Sequence, residues 1–93
     1  MTTPLSAKAR AALKGRAHAL EPVVHVGAGG LTDAVIAEID RALTAHELIK
    51  VRVAADRDER EALLEAICAR TGAAPVQAVG KILVVWRPRP AED

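Results

Sequence analysis

Apolar residues recur along this chain at helical spacing in three stretches and as short alternating or continuous runs in four others, in the order α-β-α-β-α-β-β. The first stretch predicts a helix from about Ser6 to Leu20. At 3.6 residues per turn Leu5, Ala9, Leu13 and Leu20 share one side, while Arg10, Lys14 and His18, spaced i, i+4, i+8, form a basic stripe beside it. Arg16 falls within the apolar arc and Gly15 costs about 1 kcal/mol relative to alanine, so the helix is expected to be irregular or to snorkel Arg16 outward. Pro22 ends it and starts a strand, Val23-Val24-His25-Val26. A second helix opens at Thr32 as N-cap. Leu31 and Ile36 are placed as a hydrophobic staple, Asp33 sits at the positive helix end, and Val35, Ile36, Ile39 and Leu43 face the core.

Leu48 to Val53 alternates, which turns Ile49, Val51 and Val53 inward and Lys50 and Arg52 outward. Asp58 with Glu61 reads as an acidic capping box for the third helix. Leu63, Leu64 and Ile67 are its core face, Cys68 lies next to them, and Gly72 supplies a stop. Val76 to Val79 and Ile82 to Trp86 are two strands joined by Gly80-Lys81, a two-residue hairpin with glycine first. The element order implies an α/β (α+β) domain with helices packed on a mixed sheet. A length of 93 residues fits a single domain over 1–93, with its core at about 5–88.

Between the first strand and the second helix stands Gly27-Ala28-Gly29-Gly30, a G-x-x-G turn. Glycine has no Cβ, so main-chain N–H groups there can crowd against a bulky anion, and the first amides of the following helix add to the pull. A lone G-x-x-G is also a common strand-to-helix connection, and on spacing alone the structural reading weighs more. Asp33, on the first helical turn, competes with any phosphate, which places an anion on the glycine side.

The formal net charge is only +1. The charges are nevertheless segregated: Lys8, Arg10, Lys14 and Arg16 precede Glu21 without an acid, and Arg70, Lys81, Arg87 and Arg89 do the same between Arg70 and Pro90. Asp56 to Glu65 is acid-rich, so one face of the fold is expected to be positive and another negative. No apolar run approaches the ~20 residues of a membrane span. With no secretory signal pattern and a single cysteine, the expectation is a cytoplasmic, reducing location. His18, His25, His46 and Cys68 lack metal-ligand spacing, no nucleophile elbow or carboxylate pair is present, and the glycines lack the Lys-Ser/Thr pair of a nucleotide-binding loop. Neither an enzyme, a cofactor nor a small-molecule substrate is expected, and monomer is the starting assumption.

With no Phe, no Tyr and only Trp86, the chain lacks the row of stacking platforms that sheet-face RNA readers use. Trp86 is expected to pack at the core or an edge. What remains is backbone recognition by a glycine loop flanked by basic residues, with Lys50, Arg52 and Lys81 joining the candidate RNA-binding set.

Leu5-Ser-Ala-Lys8, Lys14-Gly15-x-Ala17-His18, Pro22-Val-Val, Gly27-x-x-Gly30-Leu-Thr, Ala37-Glu-Ile-Asp40, His46-Glu-Leu-Ile-Lys-Val-Arg52, Thr71-Gly72, Val79-Gly-Lys-x-Leu83 and Arg87-Pro88 occur in this order. Together they resemble the CRM domain, the chloroplast RNA splicing and ribosome maturation module, in its stand-alone bacterial YhbY form. The resemblance implies an RNA-binding fold of three helices on a four-stranded mixed sheet. It would be similar to the C-terminal domain of translation initiation factor 3, with a KH-like G-x-x-G loop. It further implies association with ribosomal RNA in precursors of the large subunit (pre-50S particles), and an RNA face on Gly27, Ala28, Gly29 and Gly30 and on Lys8, Arg10, Lys14 and His18. Ala28 stands where members of the family usually carry a basic residue, and Glu21 where they tend to be basic, so weaker loop binding is expected. The alternative is a protein-interaction module on ribosomal particles, with a purely structural glycine turn and the acidic third helix meeting a basic partner.

Overall fold

The computed structural model describes residues 5–88; Arg89, counted above among the basic residues, lies outside them. The elements are α1 (Ala7–Ala17), β1 (Pro22–Val26), α2 (Asp33–His46), β2 (Leu48–Val53), α3 (Arg57–Thr71), β3 (Ala74–Val79) and β4 (Ile82–Trp86). Their strands form one sheet in the order β1-β2-β4-β3. A parallel pair needs a long crossover, which α2 supplies between β1 and β2; the Gly80-Lys81 hairpin makes β3 and β4 antiparallel, and β4 then pairs antiparallel with β2.

This sheet separates two cores. Helices α2 and α3 pack on one face, where Ile39, Leu43 and Ile67 meet Val24, Val26, Ile49, Val51, Val53, Leu83 and Val85. Helix α1 lies on the other, where Leu13 and Ala17 meet Leu48, Val76 and Val84, with Leu5, Ile82 and Trp86 half-buried around them. Alternation across a strand explains the doubly apolar start of β2: Leu48 points to α1 and Ile49 to α2 and α3. Lys50 and Arg52 follow Leu48 on the α1 face.

Helix α1 is shorter than its periodicity predicts. Ser6 is the N-cap, its Oγ accepting from the Ala9 N–H at 3.0 Å, and the Leu20 N–H bonds back to the Ala17 carbonyl at 3.0 Å in a closing turn. Leu20 was expected in the core by extending the helical wheel. It is 37% exposed, because the wheel ceases to apply once the helix has ended, and Ala17 fills the core position instead. Gly15 does not interrupt the helix, and Arg16 is exposed.

Helix α2 begins as expected: the Thr32 Oγ1 accepts from the Val35 N–H at 3.2 Å. Ile39 and Leu43 are fully buried, Val35 packs against the core from its edge, and Ile36 is half-buried. The cap of α3 lies two residues earlier than expected. Asp56, not Asp58, takes the extended cap conformation and accepts from the Glu59 N–H at 2.9 Å. Asp56/Glu59 and Asp58/Glu61 have the same spacing, and the chain leaving β2 starts its helix at the first acceptor it reaches. Gly72 ends α3 in the left-handed region at φ 76°, and Gly80 opens the hairpin at φ 58°, both where a side chain would be strained.

Cys68 is buried between α3 and the sheet, and desolvation pushes its thiol up to about 11 from an ordinary value near 9.0. The fold thus favours the neutral thiol. The stability it contributes is complete below pH 9 and is lost as pH rises toward 11. By pH 10.5 the expected loss specific to this group is about 2 kcal/mol. Urea denaturation at pH 8 and 10.5 should show that extra loss in the wild type and not in Cys68→Ala; equal pH dependence in the two proteins would refute it.

Candidate nucleic-acid interface

Helix α1 covers the half of its sheet face nearest Leu48, Val76 and Trp86 and leaves the other half open. On the open half Arg52 of β2 lies opposite His25 of β1 and Ile82 of β4; Lys50, half-buried, lies opposite Val84 at the edge of the part that α1 covers. Three connections converge at the end of this half. The Ala54 N–H donates to the Val26 carbonyl at 3.2 Å, just before the glycine loop, and the Val53 N–H donates to the Lys81 carbonyl at 2.8 Å, at the hairpin tip. From α3, the Arg60 guanidinium donates to the Gly80 carbonyl and steadies the hairpin.

Two depressions result. One, of about 270 Å³, is lined by His25, Gly27, Arg52 and Lys81. The other, of about 180 Å³, is lined by Lys14 and His18 of α1 with Lys50, Gln77, Val79 and Ile82 of the sheet. Lys50 and Arg52, one pleat apart on the same strand face, join the two. No carboxylate lines either depression among the described residues.

The predicted residues are therefore partly assembled. Gly27, Arg52 and Lys81 come together, as do Lys14, His18 and Lys50. Arg10 is half-buried one turn before Lys14, whereas Lys8 is exposed about 160° round the helix from Arg10, away from the sheet. His25 was not assigned to the site from sequence. Its signal was there: Val24 and Val26 point inward, so period-two alternation sends His25 out beside Arg52.

The loop itself is a turn closed by the Gly30 N–H on the Gly27 carbonyl at 3.0 Å, followed by the Thr32 N–H on the Gly30 carbonyl at 3.1 Å. Positive φ occurs in it only at Gly30, at 75°. A Cβ built on Gly27 or Gly29 would meet nothing within 4 Å. The turn thus requires glycine at Gly30 alone; at Gly27 and Gly29 the missing side chains leave open space toward solvent. The Ala28 and Gly29 amides have no acceptor among the described residues.

Ion pairing engages two other basic residues, Arg70 and Arg87. Arg70 binds the Asp33 carboxylate at 2.8 Å and thereby engages the acid that competes with an anion at the start of α2. Arg87 binds Asp40 at 2.6 Å and the Thr71 carbonyl at 2.7 Å. The acids Asp56, Asp58, Glu59, Glu61 and Glu65 belong to α3 and its cap, on the opposite side of the sheet. The acids of α3 thus lie across the sheet from Lys14, His18, Lys50 and Arg52. Among the described residues no cluster of three or more histidine, cysteine or acidic side chains is placed to hold a metal, and no helix is long and apolar enough to cross a membrane.

The described residues form a small α+β domain with a row of cations along the α1 face of its sheet, ending beside a glycine loop. Residues 5–87 match the CRS1/YhbY (CRM) domain, and the chain belongs to that family. It is 54% identical over 87 residues to an RNA-binding protein of Haemophilus influenzae, a match covering 92% of this chain and 88% of that one. It is 49% identical over 78 residues to a probable RNA-binding protein of Pseudomonas aeruginosa, covering 83% and 75%. The solution structure of a hypothetical Staphylococcus aureus protein, itself proposed to bind RNA, has the same fold with a TM-score of 0.82 at 31% identity, covering 97% of this chain and 93% of that one. Three helices on a four-stranded mixed sheet, the architecture implied by the resemblance, are therefore the fold of this chain and of that neighbour.

Proposed function

We propose that this protein binds RNA through the open half of the α1 sheet face and the Gly27–Gly30 loop, and that its RNA is ribosomal RNA in precursors of the large subunit. It acts there as a cytoplasmic assembly factor and not as an enzyme. The observation that carries this reading is the loop: Gly27 and Gly29 are glycines where the turn does not need them, the Ala28 and Gly29 amides have no acceptor among the described residues, and Gly27 lines one depression with Arg52 and Lys81. Relatives named as RNA-binding proteins support RNA as the polymer, and the resemblance to stand-alone bacterial members supports the ribosomal particle.

In this reading a phosphate oxygen takes the loop amides while Arg52 and Lys81 neutralise its charge, and Lys50 and Lys14 hold the backbone further along the sheet. Such contacts set position and register and carry no sequence information. Ala28 offers no side-chain cation, so the loop phosphate depends on the Arg52 and Lys81 charges that the fold brings to it.

Replacing Ala28 and Gly29 together by aspartate tests this. Neither position has positive φ, and both are exposed, so circular dichroism should match the wild type. On a low-salt gradient of cell lysate the wild type is expected with large-subunit precursors and the folded variant at the top. Equal migration of the two would reduce the loop to a turn and leave the docking to the sheet, to α1 or to a protein partner; absence of both from the particles would overturn the ribosomal reading.

A further inference from the structure

A third depression, larger than either basic groove, lies apart from both. It opens between the end of α1 and the β1 side of the sheet, has a volume of about 440 Å³, and is floored by Leu20, Val23 and Leu48, with Ile49 of the same strand at its edge. Arg16, Glu21 and His46 stand at its rim. Leu20 and Val23 are 37% and 51% exposed, and with Val79, 56% exposed in the Lys14–Lys50 depression, they are the exposed large apolar residues among those described. All three therefore border the surface that carries the cations.

The groove is continuous with that surface. Val23 and His25 are alternate residues of β1 facing the same way, and Leu48, Lys50 and Arg52 are alternate residues of β2, so groove and glycine-loop depression are two ends of one path along the β1-β2 pair. Their chemistry differs. The loop end carries Arg52 and Lys81 with no carboxylate in its lining among the described residues, whereas the groove sets Glu21 against Arg16 and His46 over an apolar floor. A phosphate would be repelled by Glu21 and gain nothing from Leu20 and Val23. A nucleobase suits both features: its faces are apolar and stack on a guanidinium plane, and its edges carry donors and acceptors.

We propose, resting on the RNA reading above, that this groove takes an unpaired base, and that the RNA crossing β1 is single-stranded there. A duplex keeps its base faces stacked inside and offers this groove only sugar and phosphate. One aliphatic base seat is compatible with a chain that lacks a row of aromatic platforms. The groove supplies what the cations cannot, a contact that distinguishes unpaired from paired RNA.

The test uses fluorescence anisotropy with three probes of about ten nucleotides: a mixed-sequence single-stranded RNA, its duplex, and a fully abasic strand with the same number of phosphates. Wild-type protein is expected to bind the intact strand about tenfold more tightly than the abasic strand or the duplex. In the Leu20→Ser, Val23→Ser double variant that preference should fall to roughly twofold or less, with the slope of affinity against salt unchanged, because phosphate contacts remain. Equal binding of intact and abasic strands by the wild type overturns the base seat without touching the RNA reading. Failure to bind any of the three overturns both. A variant that keeps the full preference places the base elsewhere and refutes this groove, and the wild-type comparison stands even if the variant does not fold.

Discussion

Replacing Lys50, Arg52 and Lys81 together by glutamine lowers affinity for single-stranded RNA about 100-fold at 0.1 M salt, and the wild-type and variant curves converge as salt approaches 1 M. The size follows from counterion release: each phosphate neutralised on a single strand contributes about 0.7 to the slope of log affinity against log salt, so three contacts contribute about 2. These three residues are chosen because the fold brings them together from two separate parts of the chain, with no carboxylate lining the depressions they occupy among the described residues. Glutamine keeps much of the stem that packs on the sheet, and circular dichroism and melting should be unchanged. The decisive measurement is the salt slope rather than affinity at one condition. A variant that binds more weakly with an unaltered slope would mean that these cations shape the surface without touching phosphates, and the proposed RNA path would be wrong.

The largest effect on stability is expected at Arg87. Its guanidinium donates to the Asp40 carboxylate at 2.6 Å, the Thr71 carbonyl at 2.7 Å, and the Asp40 carbonyl and Thr44 hydroxyl, each at 3.0 Å. Its own N–H donates to the Glu47 carbonyl at 2.9 Å. One side chain, 18% exposed, thus ties the end of β4 to the last turns of α2 and the last residue of α3. Arg87→Ala leaves those acceptors without their donor and should cost about 3 kcal/mol, with several of the bonds lost together. For a domain of this size that lowers Tm by roughly 12–24 °C. Lysine cannot present a planar fork to acceptors on two helices, so Arg87→Lys should recover less than half of the loss. A thermal melt of Arg87→Ala within a few degrees of wild type would show that water replaces the guanidinium at little cost.

Arg87 also illustrates where reading the chain stops. In the sequence it is one of several basic residues near the C-terminus, grouped with Arg70, Lys81 and Arg89 as part of a positive end. Folding divides that group: Arg70 and Arg87 are consumed by Asp33 and Asp40, and Lys81 is delivered to the opposite surface. Charge runs report composition along the chain, whereas partnership depends on residues 37 and 47 positions apart, as in Arg70–Asp33 and Arg87–Asp40. Leu20 failed for a related reason. The wheel that placed it inside is valid only within a helix, and the two residues between Ala17 and Leu20 make a turn. The cap of α3 was displaced because two carboxylate pairs share one spacing and only the chain's exit from β2 selects between them.

Local chemistry was legible wherever cause and effect lie within a few residues. The Thr32 cap, the Gly72 stop, the Gly80 hairpin and the alternation of β2 each follow from a side chain acting on its own or adjacent backbone, and each is found where the sequence puts it. The element order followed from the same signals, and the family from the ordered motifs that resemble it. Only the tertiary structure decided that α1 lies alone on one sheet face, that Lys50 and Arg52 emerge beside Lys14, His18, His25 and Lys81, and that glycine is required at Gly30 but not at Gly27 or Gly29. Periodicity tells a strand which of its faces is apolar, and β2 begins apolar on both; which helix covers which face, and how far, is settled by packing between segments distant in the chain. That packing leaves half of one sheet face uncovered and gathers Lys14, Lys50, Arg52 and Lys81 along it.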